Sequence, residues 1–186
     1  MDERDFSYRF EINYGSGPGD EWVFSVDNIT KEDMFSMDDI EFMRPGVAIS
    51  EGLCKNFLMP FFEKHFDPSY FYNEYFDIDE IEKGYFDDSK ENFYSYDMIN
   101  EICDEILEMA DKLENDYWSP GYEKIKHNIK ILYEIDCKNY KSDQNDPDVF
   151  RAYLHHVISF LLRFVKAIKG IMSDNPECNI VSVSGP

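Results

Sequence analysis

The sequence predicts an α+β fold, with an N-terminal β-hairpin and a C-terminal strand packed on about four helices. Three observations carry this. Aromatic residues alternate with polar ones near the N-terminus, long stretches of the second half space their apolar residues helically, and the tail NIVSVSGP turns strand-like again. A chain of 186 residues with 43% apolar composition can close a packed core, and it reads as a single domain, 1–186. Residues 1–47 would supply the hairpin and a connection, 48–174 a mainly helical body, and 178–186 the last strand.

In the first run, Tyr8, Phe10, Ile12 and Tyr14 alternate with Arg9, Glu11 and Asn13, as a strand with one wet face would. GSGPGD then reads as the loop into a second strand, EWVFSVD. Residues 28–45 are polar and Met-dotted and read as a short helix or an irregular connection. From Ala48 to Phe66 the pattern is helical, with a kink or stop expected near Pro60. The clearest helix runs from Ser95 to Tyr117. Ile99, Ile102, Cys103, Ile106, Ala110, Leu113 and Tyr117 share one stripe, Ser95 is a fair N-cap, and Asp97 sits where the helix dipole favours an acid.

The next helix is expected to start at Ser119-Pro120 and to run to about residue 133. Residues 129–135 are ambiguous, because Ile129, Ile131, Tyr133 and Ile135 also alternate as in a strand. CKNYKSDQNDPDVF reads as a loop. The last helix spans about Asp148 to Met172, burying Phe150, Leu154, Val157, Leu161, Phe164, Val165 and Ile168. The tail strand is expected to pair with the N-terminal hairpin.

Charge narrows the function. Residues 1–116 hold 31 acids and 9 bases, a net of −22, while residues 117–186 hold 8 acids and 9 bases, a net of +1. Such a field repels nucleic acid and anionic membrane surfaces and favours a basic protein partner. The start DERDFSYRF has no apolar core, so no signal peptide is expected, and the longest apolar stretch, VISFLLRFV, is too short to span a bilayer. Few alanines and arginines beside many Lys, Asn, Ile and Tyr suit a bacterial, AT-rich genome. Cytoplasmic localisation follows, with Cys54, Cys103, Cys137 and Cys178 reduced.

Catalytic and cofactor signatures are weak throughout. The glycines of GSGPGD precede a strand and no P-loop lysine follows. No Glu-x-x-His pair exists for a di-iron bundle, and the calcium-like start at Asp77 and Asp79 places Ile81 and Glu82 where a ligand and a glycine belong. Cysteine spacings of 49, 34 and 41 residues do not match zinc sites. His155 and His156 point about 100° apart on a helix and read as a hydrated face. The chain is therefore expected to be no enzyme and to hold no cofactor or metal.

Two features remain as candidate partner surfaces. Asp97, Glu101, Asp104, Glu108 and Asp111 fall within ~80° on a wheel, opposite the apolar stripe. Like charges four residues apart each cost a few tenths of a kcal/mol, so the row is either a solvated face or a ridge facing something basic. The stretch Phe66–Asp88 holds eight aromatics, eight carboxylates and one lysine, and Tyr72 and Tyr75 are its candidate anchors. The expectation is a non-catalytic binding module, such as a toxin-neutralising immunity protein or a comparable inhibitor of a basic partner. A nucleic-acid mimic that occupies a DNA-binding protein is the first alternative, and a carboxylate-based metal enzyme the second.

Overall fold

A computed structural model describes residues 6–14, 21–27, 45–67, 92–140 and 142–185. The GSGPGD loop, the 28–44 connection, and Tyr72 and Tyr75 with most of the acidic aromatic stretch lie outside the described residues. Five antiparallel strands form one sheet: β1 Asn13–Tyr14, β2 Glu21–Asp27, β3 Gly46–Ser50, β4 Asn92–Ser95 and β5 Ile180–Ser184. Their order is β1-β3-β2-β5-β4. The α+β expectation holds, and the tail strand pairs with β2 as expected, Phe24 opposite Val183 and Val26 opposite Val181.

The two N-terminal runs, however, do not pair with each other. β3 lies between them, with Asn13 opposite Ala48 on one side and Val23 opposite Ala48 on the other. The reason is burial. Val47, Ala48 and Ile49 are all inaccessible, and a short run that is apolar on both faces suits a central strand better than a helix start. Gly46 is needed there, since a Cβ would stand 2.9 Å from the Phe24 carbonyl oxygen.

The alternation in the first run also misleads. Ser7–Phe10 is a 3-10 turn, and only Asn13 and Tyr14 extend as strand. Phe6 and Phe10, four residues apart, both point into the core, where each meets Tyr153 edge-on at 5.1 and 5.5 Å. Filling that gap in the core outweighs a local strand preference.

Helix α1 covers residues 51–65 in three pieces, Glu51–Leu53, a wide π-helical turn at Cys54–Leu58, and Met59–His65. The widening lies just before Pro60. A proline ring would clash with the carbonyl four residues back, so the chain adds a residue to the turn and the Met59 N–H bonds to the Cys54 carbonyl. The Asn56 carbonyl is left for another donor and accepts from Asn128 Nδ2 at 3.0 Å.

α2 is Tyr96–Asn115, capped by Ser95 Oγ, which accepts from the Met98 N–H at 3.2 Å. α3 is Glu123–Tyr140, three residues later at its start and longer at its end than expected. A turn with Gly121 at φ 121° and Tyr122 at φ 55° displaces the start. The helical reading of 129–135 prevails because Ile125, Ile129, Tyr133 and Cys137 recur every four residues as the buried line. Ile131 and Ile135 are left exposed. α4 is Pro147–Asp174, with Asp146 Oδ1 accepting from the Asp148 N–H at 2.9 Å. Its first turns bury Val149 and Tyr153 rather than the expected Phe150 and Leu154, which are half-covered. Phe24, Phe62, Tyr94 and Phe164 join sheet to helices through ring contacts of 5.0 to 5.2 Å. No described helix is long and apolar enough to cross a membrane.

Candidate functional site

α2 places the five ridge acids in one line. Asp97, Glu101, Asp104, Glu108 and Asp111 are all exposed, and a rise of 1.5 Å per residue makes the row ~21 Å long. The helix carries seven carboxylates and one lysine, because Glu105 and Glu114 join the five. The expected row is thus physically present, but it does not stand alone.

Neighbouring elements fence it with cations. On the α1 side, Lys64 Nζ lies 2.7 Å from Glu105 Oε1, His65 Nε2 lies 2.9 Å from Glu105 Oε2, and His65 Nδ1 lies 3.7 Å from Glu101. Across the helix, Lys169 of α4 reaches Asp104 at 3.0 Å. Within α2, Lys112 bonds Glu108 at 2.7 Å, and Asn115 donates to Asp111 at 2.8 Å. Only Asp97 of the five makes no side-chain hydrogen bond or ion pair among the described residues.

The electrostatics follow from these contacts. Burial pushes the Glu105 carboxyl up, but the hydrogen bonds and charges of Lys64 and His65 together outweigh it and hold the group below its ordinary value. Hydrogen bonds to Glu105 and Glu108 raise Lys64 and Lys112 respectively, so both stay charged. Six carboxylates from Asp97 to Asp111 face three lysines, which leaves a net of −3 before His65 is counted.

The ridge runs directly into a groove that sequence reasoning did not single out. Between the C-terminal end of α2 and the N-terminal end of α4 lies a cleft of about 420 Å³. Leu113 and Ile158 form its floor, Tyr117, Phe150 and Leu154 its walls, and Glu114, Arg151 and His155 its rim. Trp118 stands beside it, 89% exposed. A chain of edge-on rings leads out from the core: Tyr153 to Tyr133 at 5.4 Å, then Phe150, Tyr117 and Trp118 at 5.1 to 5.5 Å. The signal that could have found it was a tryptophan in NDYWSPGY, which belongs to no periodic stripe. The histidine doublet divides here, His155 on the groove rim and His156 packed against the rings of Phe6 and Phe10.

A second cleft of about 320 Å³ is lined by Arg9, Glu11, Asn13, Glu21, Ser50 and Leu132, among others. Glu21 Oε1 accepts from Asn13 Nδ2 at 2.6 Å. Arg9, on the wall of the cleft, pairs with the wholly buried Asp136, whose Oδ2 it meets at 2.8 Å and which also accepts from the Tyr153 hydroxyl at 3.0 Å. Among the described residues no three His, Cys, Asp or Glu side chains converge as metal ligands. All four cysteines are thiols, with Cys54, Cys103 and Cys137 buried. Comparison with family models, curated proteins and solved structures finds no match to this chain, so the site is read from its own chemistry.

Proposed function

We propose that this protein is a non-catalytic binding module for a basic protein partner, acting as a stoichiometric inhibitor in the manner of a toxin-neutralising immunity protein. The observation that carries the reading is the α2 ridge, which keeps a net negative charge even after its neighbours' lysines are counted. An acidic field of this kind steers a basic partner and can raise association rates by roughly 10 to 10³. The internal lysines pre-order the carboxylates that they touch, so less side-chain freedom is lost on binding.

A row of acids along one helix also raises a second reading, a nucleic-acid mimic, which the spacing tests. Acids along α2 recur every ~4.5 to 6 Å of helix axis. A duplex strand carries one charge per ~3.4 Å of its axis, so the ridge is sparser, and Lys112 and Lys169 interrupt it. The basic-protein reading is the better fit.

The test compares the natural chain with a Glu101→Gln, Glu108→Gln, Asp111→Asn variant as bait in extract of the source cell, read by mass spectrometry. The natural chain should retain a basic protein at low salt, release it at high salt, and lose it in the variant. Identical capture by both baits would end the ridge reading, and recovery of a DNA-binding protein competed off by duplex would favour the mimic.

A further inference from the structure

We infer that the groove between α2 and α4 seats an apolar side chain of the basic partner, flanked by that partner's lysines or arginines, with Trp118 covering it. The inference deepens the proposed function and rests on the ridge reading. Its ground is the continuity of two surfaces on one helix. Glu114 follows Asp111 by three residues and adjoins it on the helix surface, ~4.5 Å further along the axis and about 60° further round, so a segment leaving the ridge reaches the groove rim by wrapping part-way around α2.

Charge selects the same occupant. Asp111, Glu114, Asp116 and Asp148 surround this end, and Arg151 opposes them while lying 3.5 Å from Asp148. Four carboxylates against Arg151 and Lys126 leave −2, which suits a segment carrying cations beside its apolar residue.

Trp118 is held in place. The Ser119 N–H and hydroxyl both donate to the Asp116 carbonyl, at 3.0 and 2.9 Å, and Lys126 Nζ donates to the Ser119 carbonyl. The Tyr117 ring beneath it is fixed between Trp118 and Phe150, with Lys126 5.8 Å from its centre. An indole left in water on a hydrogen-bonded turn, beside a half-filled apolar cleft, has the form of an interface anchor.

The probe is a labelled amphipathic Leu/Lys helical peptide, with oligolysine of equal charge and a Leu/Glu peptide as comparisons, followed by stopped-flow anisotropy at low and high salt. The Leu/Lys peptide should bind, oligolysine should bind more weakly, and Leu/Glu should not bind. Trp118→Ala should weaken the Leu/Lys peptide about tenfold through faster dissociation and leave oligolysine unchanged. The Glu101→Gln, Glu108→Gln, Asp111→Asn variant should instead slow association. No Leu/Lys binding, equal binding of oligolysine, or a Trp118→Ala effect within twofold would overturn the groove. A ridge effect without a Trp118 effect sinks the groove alone, and the converse sinks the ridge alone. Emission of the buried Trp22 reports that each variant is folded.

Discussion

Replacing Arg9 by Met should expose how the N-terminal turn is fastened. Asp136 is wholly inaccessible, and its nearest charge is the Arg9 guanidinium at 2.8 Å, whose side chain is 34% exposed. Removing one member of a fully buried pair costs about 3–5 kcal/mol because the other charge is stranded. Water already reaches a third of Arg9, so the expected loss is nearer ~2–3 kcal/mol, a midpoint lowered by about 4–12 °C in a chain of this size. The pH dependence gives the sharper test. Burial pushes the Asp136 carboxyl above its ordinary value, and the attraction of Arg9 and the Tyr153 hydroxyl pull it back. Without Arg9 the folded-state value rises further above the unfolded one. Stability from such an acid is present below the unfolded value and is lost as pH rises through the folded one. Arg9→Met should therefore lose most at pH 7 and recover towards the parent as pH falls to 5. Asp136→Asn keeps the shape and the Tyr153 contact, and should cost only about 1 kcal/mol. Urea unfolding followed by Trp22 emission at both pH values measures this. An Arg9→Met loss below ~0.5 kcal/mol, or one equal at pH 5 and 7, refutes the reasoning.

Three further outcomes follow from the same packing. Gly46→Ala should cost about 1–3 kcal/mol in urea unfolding, since its Cβ would press on the Phe24 carbonyl at 2.9 Å and the Ser25 Cβ at 3.3 Å within the central sheet. In a thiol titration of the native protein Cys178 should react first. Cys54, Cys103 and Cys137 should wait for denaturant, because they are buried and burial pushes the Cys103 thiol up to about 12. Asp97→Asn should destabilise by about 0.3–1 kcal/mol, because Asp97 lies in the first turn of α2, whereas Asp111→Asn near the other end should not. Chemical denaturation of both variants distinguishes a dipole effect from a general relief of negative charge.

Local chemistry by itself determined the bodies of the long helices, the Ser95 and Asp146 starts and the acidic row, though not the Ser119-Pro120 start. Ser95 and Asp146 sit before apolar stripes of helical period, and a residue every 3.6 along one chain decides which side is wet wherever α2 packs. The tail strand was legible for the same reason, its alternation needing no partner to be recognised. Only the tertiary structure decided the rest. Whether Tyr8–Tyr14 pairs with β2 depended on the short apolar run at Gly46–Ser50, which takes the central place because both its faces can be covered. Phe6 and Phe10 turned inward because a gap beside Tyr153 needed rings. Whether the ridge was bare or fenced rested on Lys64 and Lys169, which lie 41 and 65 residues from the acids they meet. Phe150 and Leu154 belong to the apolar pattern of α4 as much as Val149 and Tyr153 do. What separates them is that α2 ends at Asn115, leaving no helix to cover the first turns of α4 on that side. Periodicity reports which face of a helix is apolar, and only the neighbouring helix's length decides how much of that face is left open as a groove.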